Sequence, residues 1–396
     1  MVYKYGSTGK IIFDLHTLLK EGGHESIVCF GRGKNNGDAD VYKLSSEIEG
    51  KFEAIYSRIT GIAYAGCYFS TNKLLKIIES KRPDVVHLHC LNGHFVDNYK
   101  LLNFLKFNNY KTIITLHAEL MYTARCGHAF DCEKWKCGCG NCPQLKESYD
   151  SWFFDRTALE WQLKASAFSG FNNLTIVAVS KWLYDRAVQS PFLKDKQFKV
   201  IGNGIDTNNV FGLKDYSDLS YFHISVENKI LLHVSPSFKN PIKGGEYVLK
   251  LAKRLIGEKI KIIIIGYDGD CADLPDNVIA VRFTESLEEL VKFYSMADLT
   301  ILTSKKETFS MICAESLACG TPVVGFKAGA PEQITLEKYS EFVEYGDMDA
   351  LESAVRRWID KKAIIKEGLV LEANKKYSKI SMYEKYMEIY MSGGFK

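Results

Sequence analysis

The chain has 396 residues, 46% of them hydrophobic and 25% charged, with a formal net charge of +3. This balance excludes a disordered chain and a broad electrostatic binder of nucleic acid, and the length predicts two domains. No apolar run approaches a membrane span, and eleven cysteines without a hydrophobic leader predict a cytoplasmic protein with reduced thiols or metal ligands, not disulfides.

The chain opens on "MVYKYGSTGK", a Gly-rich loop at Gly6 and Gly9 leading into a helix over 9–22. Only Met1-Val2-Tyr3 precede Lys4, so the strand that would open a doubly wound domain is cut short. Its neighbours would keep unpaired backbone, and the expectation is that the natural start lies upstream or that this form is compromised. Apolar runs at 26–30, 84–89, 111–117, 175–180 and 198–204 read as strands buried on both faces, with helices at 70–80 and 181–189.

A polar stretch, 215–229, separates this series from a second one. The second has strands at 229–235, 261–266, 278–283, 298–304 and 322–326, and helices at 245–257, 286–296 and 348–361. The alternation predicts an α/β chain of two doubly wound, Rossmann-like domains facing across a cleft. The boundaries are placed at 1–208 and 209–377, with a last helix, 378–396, packing back on the first domain.

Ligands of open α/β sheets bind beyond the carboxyl ends of the strands. His89, His117, Ser180, Gly202-Asn203-Gly204, Ser235, Gly266 and the segment after Ser304 fall at such ends. Singly each reads as a turn residue; their recurrence in both halves points to a cleft. In "KETFSMICAESLACGTPVVG" a helix is expected from Phe309 to Ala318, closed by Gly320 and Pro322. The amides of Phe309, Ser310 and Met311 would form an anion site, with Glu307 before it and Glu315 nearly two turns in. That set suits a diphosphate flanked by sugar and ribose hydroxyls, although both glutamates also fit plain dipole and surface roles. Lys239, Lys243 and Gly244-Gly245 lie in a strand-to-helix loop where cations could neutralise a leaving diphosphate.

Cys126, Cys132, Cys137, Cys139 and Cys142 crowd one segment. Cys126, Cys132, Cys139 and Cys142 have a spacing that could hold structural zinc; the competing readings are an acceptor-shaping loop and packed, reduced thiols. "SRITGIAYAGCYF" (57–69) is apolar with basic flanks and reads either as a peripheral membrane contact or as a core helix.

Taken in order, "VIGNGID" (200–206), "KGGEYVLKLAKRL" (243–255) and "ESLEELVKFYSMADLTILTSKKETFSM" (285–311), followed by the E-x7-E segment, resemble glycosyltransferase family GT4. These are retaining enzymes of the GT-B fold. Segment 115–146 is similar to a subgroup that builds capsular, colanic-acid-like or O-antigen polysaccharides. The resemblance implies Glu307, His117 and Lys243 at the reaction centre, and Glu315 on the ribose. It implies donor contacts from Gly6, Gly9, Ser235, Lys239, Lys243, Gly266 and the Phe309, Ser310 and Met311 amides. The family often has Arg where Lys239 stands and Gly where Ser310 stands. A UDP- or GDP-linked sugar is the implied donor and a lipid-linked or growing glycan at the inner membrane face the acceptor, with no catalytic metal and no nucleic acid. Side chains near Gly266, Tyr267 and Phe283 would set the choice of base. The rival expectations are another sugar-nucleotide enzyme of this fold, epimerase or phosphorylase-like, and a zinc-containing binding protein.

Overall fold

A computed structural model describes residues 2–33, 37–146, 151–214 and 224–392. Most of the polar stretch expected between the domains, residues 215–223, lies outside the described residues. The chain divides into two compact units, Met1–Gly202 with Tyr383–Lys396, and Asn203–Met382.

The N-terminal unit runs α1 (Gly6–Glu21), β1 (Val28–Phe30), β2 (Val41–Lys43), α2 (Glu47–Thr60), α3 (Tyr68–Lys81), β3 (Val85–His89), α4 (Asn98–Phe107), β4 (Lys111–Leu116), α5 (Thr157–Phe168), β5 (Leu174–Ala178), α6 (Lys181–Ala187) and β6 (Gln197–Val200). Its strands form two parallel sheets, β1-β2 and β3-β4-β5-β6. Before α1 the chain makes a bridge between Val2 and Arg32, packs the buried Tyr3 with Ile12, Val28, Phe30 and Val41, and pairs Lys4 with Asp38 (2.7 Å). Ile113, Ile114, Ile176 and Val177 are fully buried, as runs apolar on both faces require.

The C-terminal unit continues with β7 (Lys229–Val234), α7 (Gly245–Arg254), β8 (Ile260–Ile265), β9 (Val278–Val281), α8 (Leu287–Met296), β10 (Leu299–Leu302), α9 (Met311–Ala318), β11 (Val323–Phe326), α10 (Pro331–Ile334), β12 (Ser340–Val343), α11 (Met348–Trp358) and α12 (Lys362–Tyr377); α13 (Lys379–Met391) follows. Its six parallel strands are ordered β12-β11-β10-β7-β8-β9. The first strand of the unit, β7, is therefore central, with the chain winding outward to β9 on one side and from β10 to β12 on the other. The direction reverses between β7 and β10, and ligands of doubly wound sheets bind at the carboxyl end of that switch point.

Two expectations about local structure change. The helix expected from Phe309 starts at Met311, because Ser310 has φ +80° and ψ 93° and cannot join a right-handed turn. Segment 57–69 is not a core helix. It holds the end of α2, a loop burying Ala63, Tyr64 and Cys67, and the start of α3.

Candidate active site

At the switch point of the C-terminal unit the loops after β7 and β10 are laced together. Lys305 donates its amide to the Ile242 carbonyl (2.7 Å), and the Thr303 hydroxyl donates to the Lys243 carbonyl (3.0 Å). Gly244 has φ +67°, and a Cβ there would stand 2.1 Å from the Thr303 oxygen, so only glycine lets the two loops close. This lacing aims the Lys243 ammonium at the Glu307 carboxylate, 2.6 Å away and half-buried. Glu307 is fixed in turn by backbone bonds to Ala328 and Ala330 on the loop after β11.

Gly266, at the end of β8, has φ +86° and comes so close to Ser235 that a Cβ would meet its carbonyl oxygen at 1.6 Å. Ser235, at the end of β7, is buried and its hydroxyl donates to the Ser237 carbonyl (2.9 Å). Lys239 stands apart. It is exposed, and its backbone amide bonds Asp268 on the loop after β8. Tyr267 is buried and Phe283 widely exposed, so the two do not make one wall of a buried base pocket by themselves.

No side chain caps the N-terminus of α9. Phe309 and Ser310 are buried there, with the Ser310 side chain against the buried Cys313 thiol. A non-glycine side chain at that φ costs energy, on the order of 1–3 kcal/mol, which glycine would avoid. Glu315, on the same helix, accepts a hydrogen bond from the buried Tyr294 hydroxyl (3.0 Å), so it is a positioned carboxylate and not merely a solvated surface charge.

In the N-terminal unit Gly6 opens α1 at φ +67°, and Gly9 packs so tightly under Val2 that a Cβ would meet its carbonyl at 2.0 Å. The Thr8 hydroxyl lies 3.4 Å from the Cys90 sulfur. His117, just past β4, pairs its Nε2 with His89 Nδ1 at 2.9 Å, beside a small cavity that also touches Leu91, Asn92 and Met121. His87 stacks 4.0 Å from His89 and bonds Thr115 and Tyr390, each at 2.7 Å, while Tyr386 bonds Thr115. Burial pushes His117 down to about 4 and His87 to about 3, and holds His89 well below the usual range. These rings are neutral near pH 7, so His117 offers a hydrogen bond and not a positive charge.

A pH dependence of stability follows. These three histidines, and His233, pushed to about 4 by burial beneath the C-terminal site, bind fewer protons folded than unfolded. Their contribution is complete above the ordinary value of 6.5 and is lost as pH falls toward 4. Each contributes at most about 1.4 kcal/mol per pH unit in that window. Glu160, whose carboxyl burial pushes up to about 7, works in the opposite sense and offsets one of the four. Scanning calorimetry from pH 7 to pH 5 is expected to show a steadily falling Tm; a flat or rising profile would contradict buried neutral rings.

The cysteine loop shows no ready-made metal centre. Cys126, Cys132, Cys139 and Cys142 line one small cavity with Trp135, but among the described residues no three His, Cys, Asp or Glu side chains are grouped to hold a metal ion. Burial raises Cys139 to about 11, and raises Cys142, so these thiols are neutral. Buried polar groups organise the loop instead. Arg125 pairs with Glu160, Lys164 donates to the carbonyls of Leu120, Thr123 and Ala124, and Glu119 takes Arg186 at 2.7 Å and the Ala129 amide at 2.6 Å. Sequence patterns placed His89 at a strand end but gave no warning of Thr303 or Tyr294 as supports of the site. The "HLH" run that ends β3 puts His87 and His89 on one face, since alternate residues of a strand share a face.

The fold matches a sucrose-phosphate synthase from Thermosynechococcus elongatus (TM-score 0.68, 16% identity, 98% of this chain and 94% of that one). It also matches Anabaena HepE, solved with UDP and glucose (TM-score 0.65, 17% identity, 98% and 97%). The fold is thus GT-B, the class of glycosyltransferases with two Rossmann-like domains. Residues 8–209 match the family described as Glycosyltransferase Family 4, and residues 228–361 that of Glycosyl transferases group 1, so the chain belongs to glycosyltransferase family 4. Among relatives in sequence is a protein of Escherichia coli (strain K12) named as a colanic acid biosynthesis glycosyl transferase, WcaC. It is 22% identical over 340 residues, covering 83% of this chain and 82% of WcaC. An uncharacterized 41.2 kDa protein in the cps region of Klebsiella pneumoniae is 24% identical over 333 residues, covering 81% of this chain and 82% of that protein. The protein is a glycosyltransferase related to the enzymes of colanic acid and capsule synthesis.

Proposed function

We propose that the enzyme transfers a sugar, with retention of configuration, from a UDP- or GDP-linked donor to a lipid-linked or growing glycan in surface polysaccharide synthesis. The observation carrying the reading is the Lys243–Glu307 pair at the β7/β10 switch point, with the uncapped α9 amides and Glu315 in sequence after it. In this reading the diphosphate lies against the amides of Phe309, Ser310 and Met311, Glu315 holds the ribose and Glu307 the donor sugar. Gly266 and Ser235 keep the neighbouring strand ends close and low, and Lys239 is a peripheral cation.

The bond from the sugar C1 to the diphosphate oxygen breaks, and C1 becomes oxocarbenium-like. The acceptor oxygen then bonds C1 from the same face, and its proton passes to the departing diphosphate. Charge grows on that diphosphate, and Lys243 stabilises it more in the transition state than in the ground state. The carboxylate of Glu307 holds the Lys243 ammonium in position until donor arrives. His117, neutral and oriented by His89, hydrogen-bonds the transferred sugar, and the tight α1 loop at Gly6 and Gly9 accommodates diphosphate and acceptor.

Incubation with a panel of UDP- and GDP-sugars tests this, with nucleoside diphosphate release and the anomeric configuration of the product followed by NMR. Release from one base class with the donor configuration kept is the expected result. Inversion of configuration, or no release from any donor with cell-derived lipid-linked acceptors present, would overturn it.

A further inference from the structure

Helix α2 is built inside out. An ordinary surface helix turns its apolar stripe to the core, but α2 buries Gly50 and Ser57 and turns two carboxylates inward. Glu49 accepts the Ser70 amide (3.3 Å), and Glu53 lies against Gly66, where a Cβ would stand 2.6 Å from its Oε2. Ile48, Phe52, Ile55, Tyr56 and Ile59 point outward at i, i+4, i+7, i+8 and i+11, with Ile48 and Phe52 each 68% exposed.

The apolar surface continues past the end of the helix. The Trp152 amide bonds the Arg58 carbonyl (2.9 Å), and the Phe154 carbonyl packs on Gly61, bringing Trp152, Phe153 and Phe154 alongside, all exposed. Tyr68 and Phe69, exposed at the start of α3, lie beyond the inward glutamates. Isolated exposed apolar residues are ordinary; a contiguous stripe of this size marks a surface that is covered in use.

Charge indicates what covers it. Lys51 and Arg58 are exposed on the helix, Arg156 stands over the Phe154 ring (5.4 Å) and Lys100 over the Tyr68 ring (5.1 Å). The acidic groups of α2 are tied elsewhere, Glu49 and Glu53 inward and Glu47 to the Gly33 amide (3.0 Å). Aliphatic and aromatic side chains rimmed by Lys and Arg match the boundary of acyl chains and anionic headgroups. No helix among the described residues is long and apolar enough to cross a membrane, so contact of this kind is with the surface alone.

We infer that the outward face of α2, with the Trp152–Phe154 segment, docks the enzyme on an anionic lipid surface. The inference complements a lipid-linked acceptor but does not depend on the donor reading. Co-sedimentation of the full chain with phosphatidylcholine vesicles, with and without phosphatidylglycerol, tests it. Wild type is expected to pellet with the anionic vesicles and less with the neutral ones. Phe52→Ser/Ile55→Ser/Ile59→Ser is expected to weaken binding at least about tenfold, and Lys51→Glu/Arg58→Glu several-fold on anionic vesicles only. Both variants alter exposed positions, and an unchanged Tm and an unchanged thermal response to UDP or GDP show that the fold and the donor site persist. Equal binding by wild type and the triple variant, or no binding to either vesicle, overturns the inference. A concentration-dependent dimer that the triple variant abolishes, without vesicle binding, overturns it in favour of a second copy of the chain.

Discussion

Lys243→Ala is expected to reduce sugar transfer by about 10²–10³-fold, mainly in kcat, and Glu307→Gln by a comparable factor. The lacing at the switch point is the cause. Gly244 against Thr303, and the Thr303 hydroxyl on the Lys243 carbonyl, hold the lysine backbone, so the ammonium is delivered to one place. Removing a preorganised cation that meets developing charge costs most of what it supplied, because little else in the loop can move in to replace it. Lys243→Arg is not a neutral exchange, since a planar fork replaces a compact point charge. Steady-state kinetics with the productive donor check this: loss confined to KM would show that Lys243 only binds substrate, and unchanged kcat/KM in both variants would remove the site assignment.

The second large effect is on stability. Arg125→Ala is expected to cost about 3–5 kcal/mol, read from urea unfolding, because it leaves Glu160 buried without its partner. The guanidinium also donates to the Gly61 carbonyl, so one side chain ties the cysteine loop, α5 and the end of α2 together. Replacing both members with apolar residues, Arg125→Met with Glu160→Leu, is expected to recover most of the loss, since the penalty comes from the uncompensated charge. A single-variant cost below about 1 kcal/mol would mean that water reaches the pair.

Much of this was legible in the sequence. The runs "KILLHV" and "KIIIIG" became β7 and β8 because strands apolar on both faces can only be buried in a two-sided sheet. Glu307, Glu315 and Lys243 stood out because their segments resemble family 4, and the structure pairs Lys243 with Glu307. The strand β2, "VYK", is too short to announce itself, and β12, "SEFV", carries a polar pair at its start. Helix α2 was hidden for a better reason. Its pattern is amphipathic in the wrong direction, and only its neighbours reveal which face is buried. The cysteine spacing left three readings open because spacing fixes only what thiols can reach, while the buried Arg125, Glu160 and Lys164 organise the loop. The start of α9 shifted because Ser310 occupies a backbone conformation that sequence propensity assigns to glycine.

Calorimetric titration of UDP and GDP into the wild-type chain and into Glu315→Ala tests the central claim, that the C-terminal unit holds a nucleoside diphosphate along α9, most directly. One of the two nucleotides is expected to bind the wild type at micromolar to millimolar affinity, and the variant at least about tenfold more weakly, as expected for losing a charge-assisted hydrogen bond. Binding of neither nucleotide, or equal binding by wild type and Glu315→Ala, would contradict it.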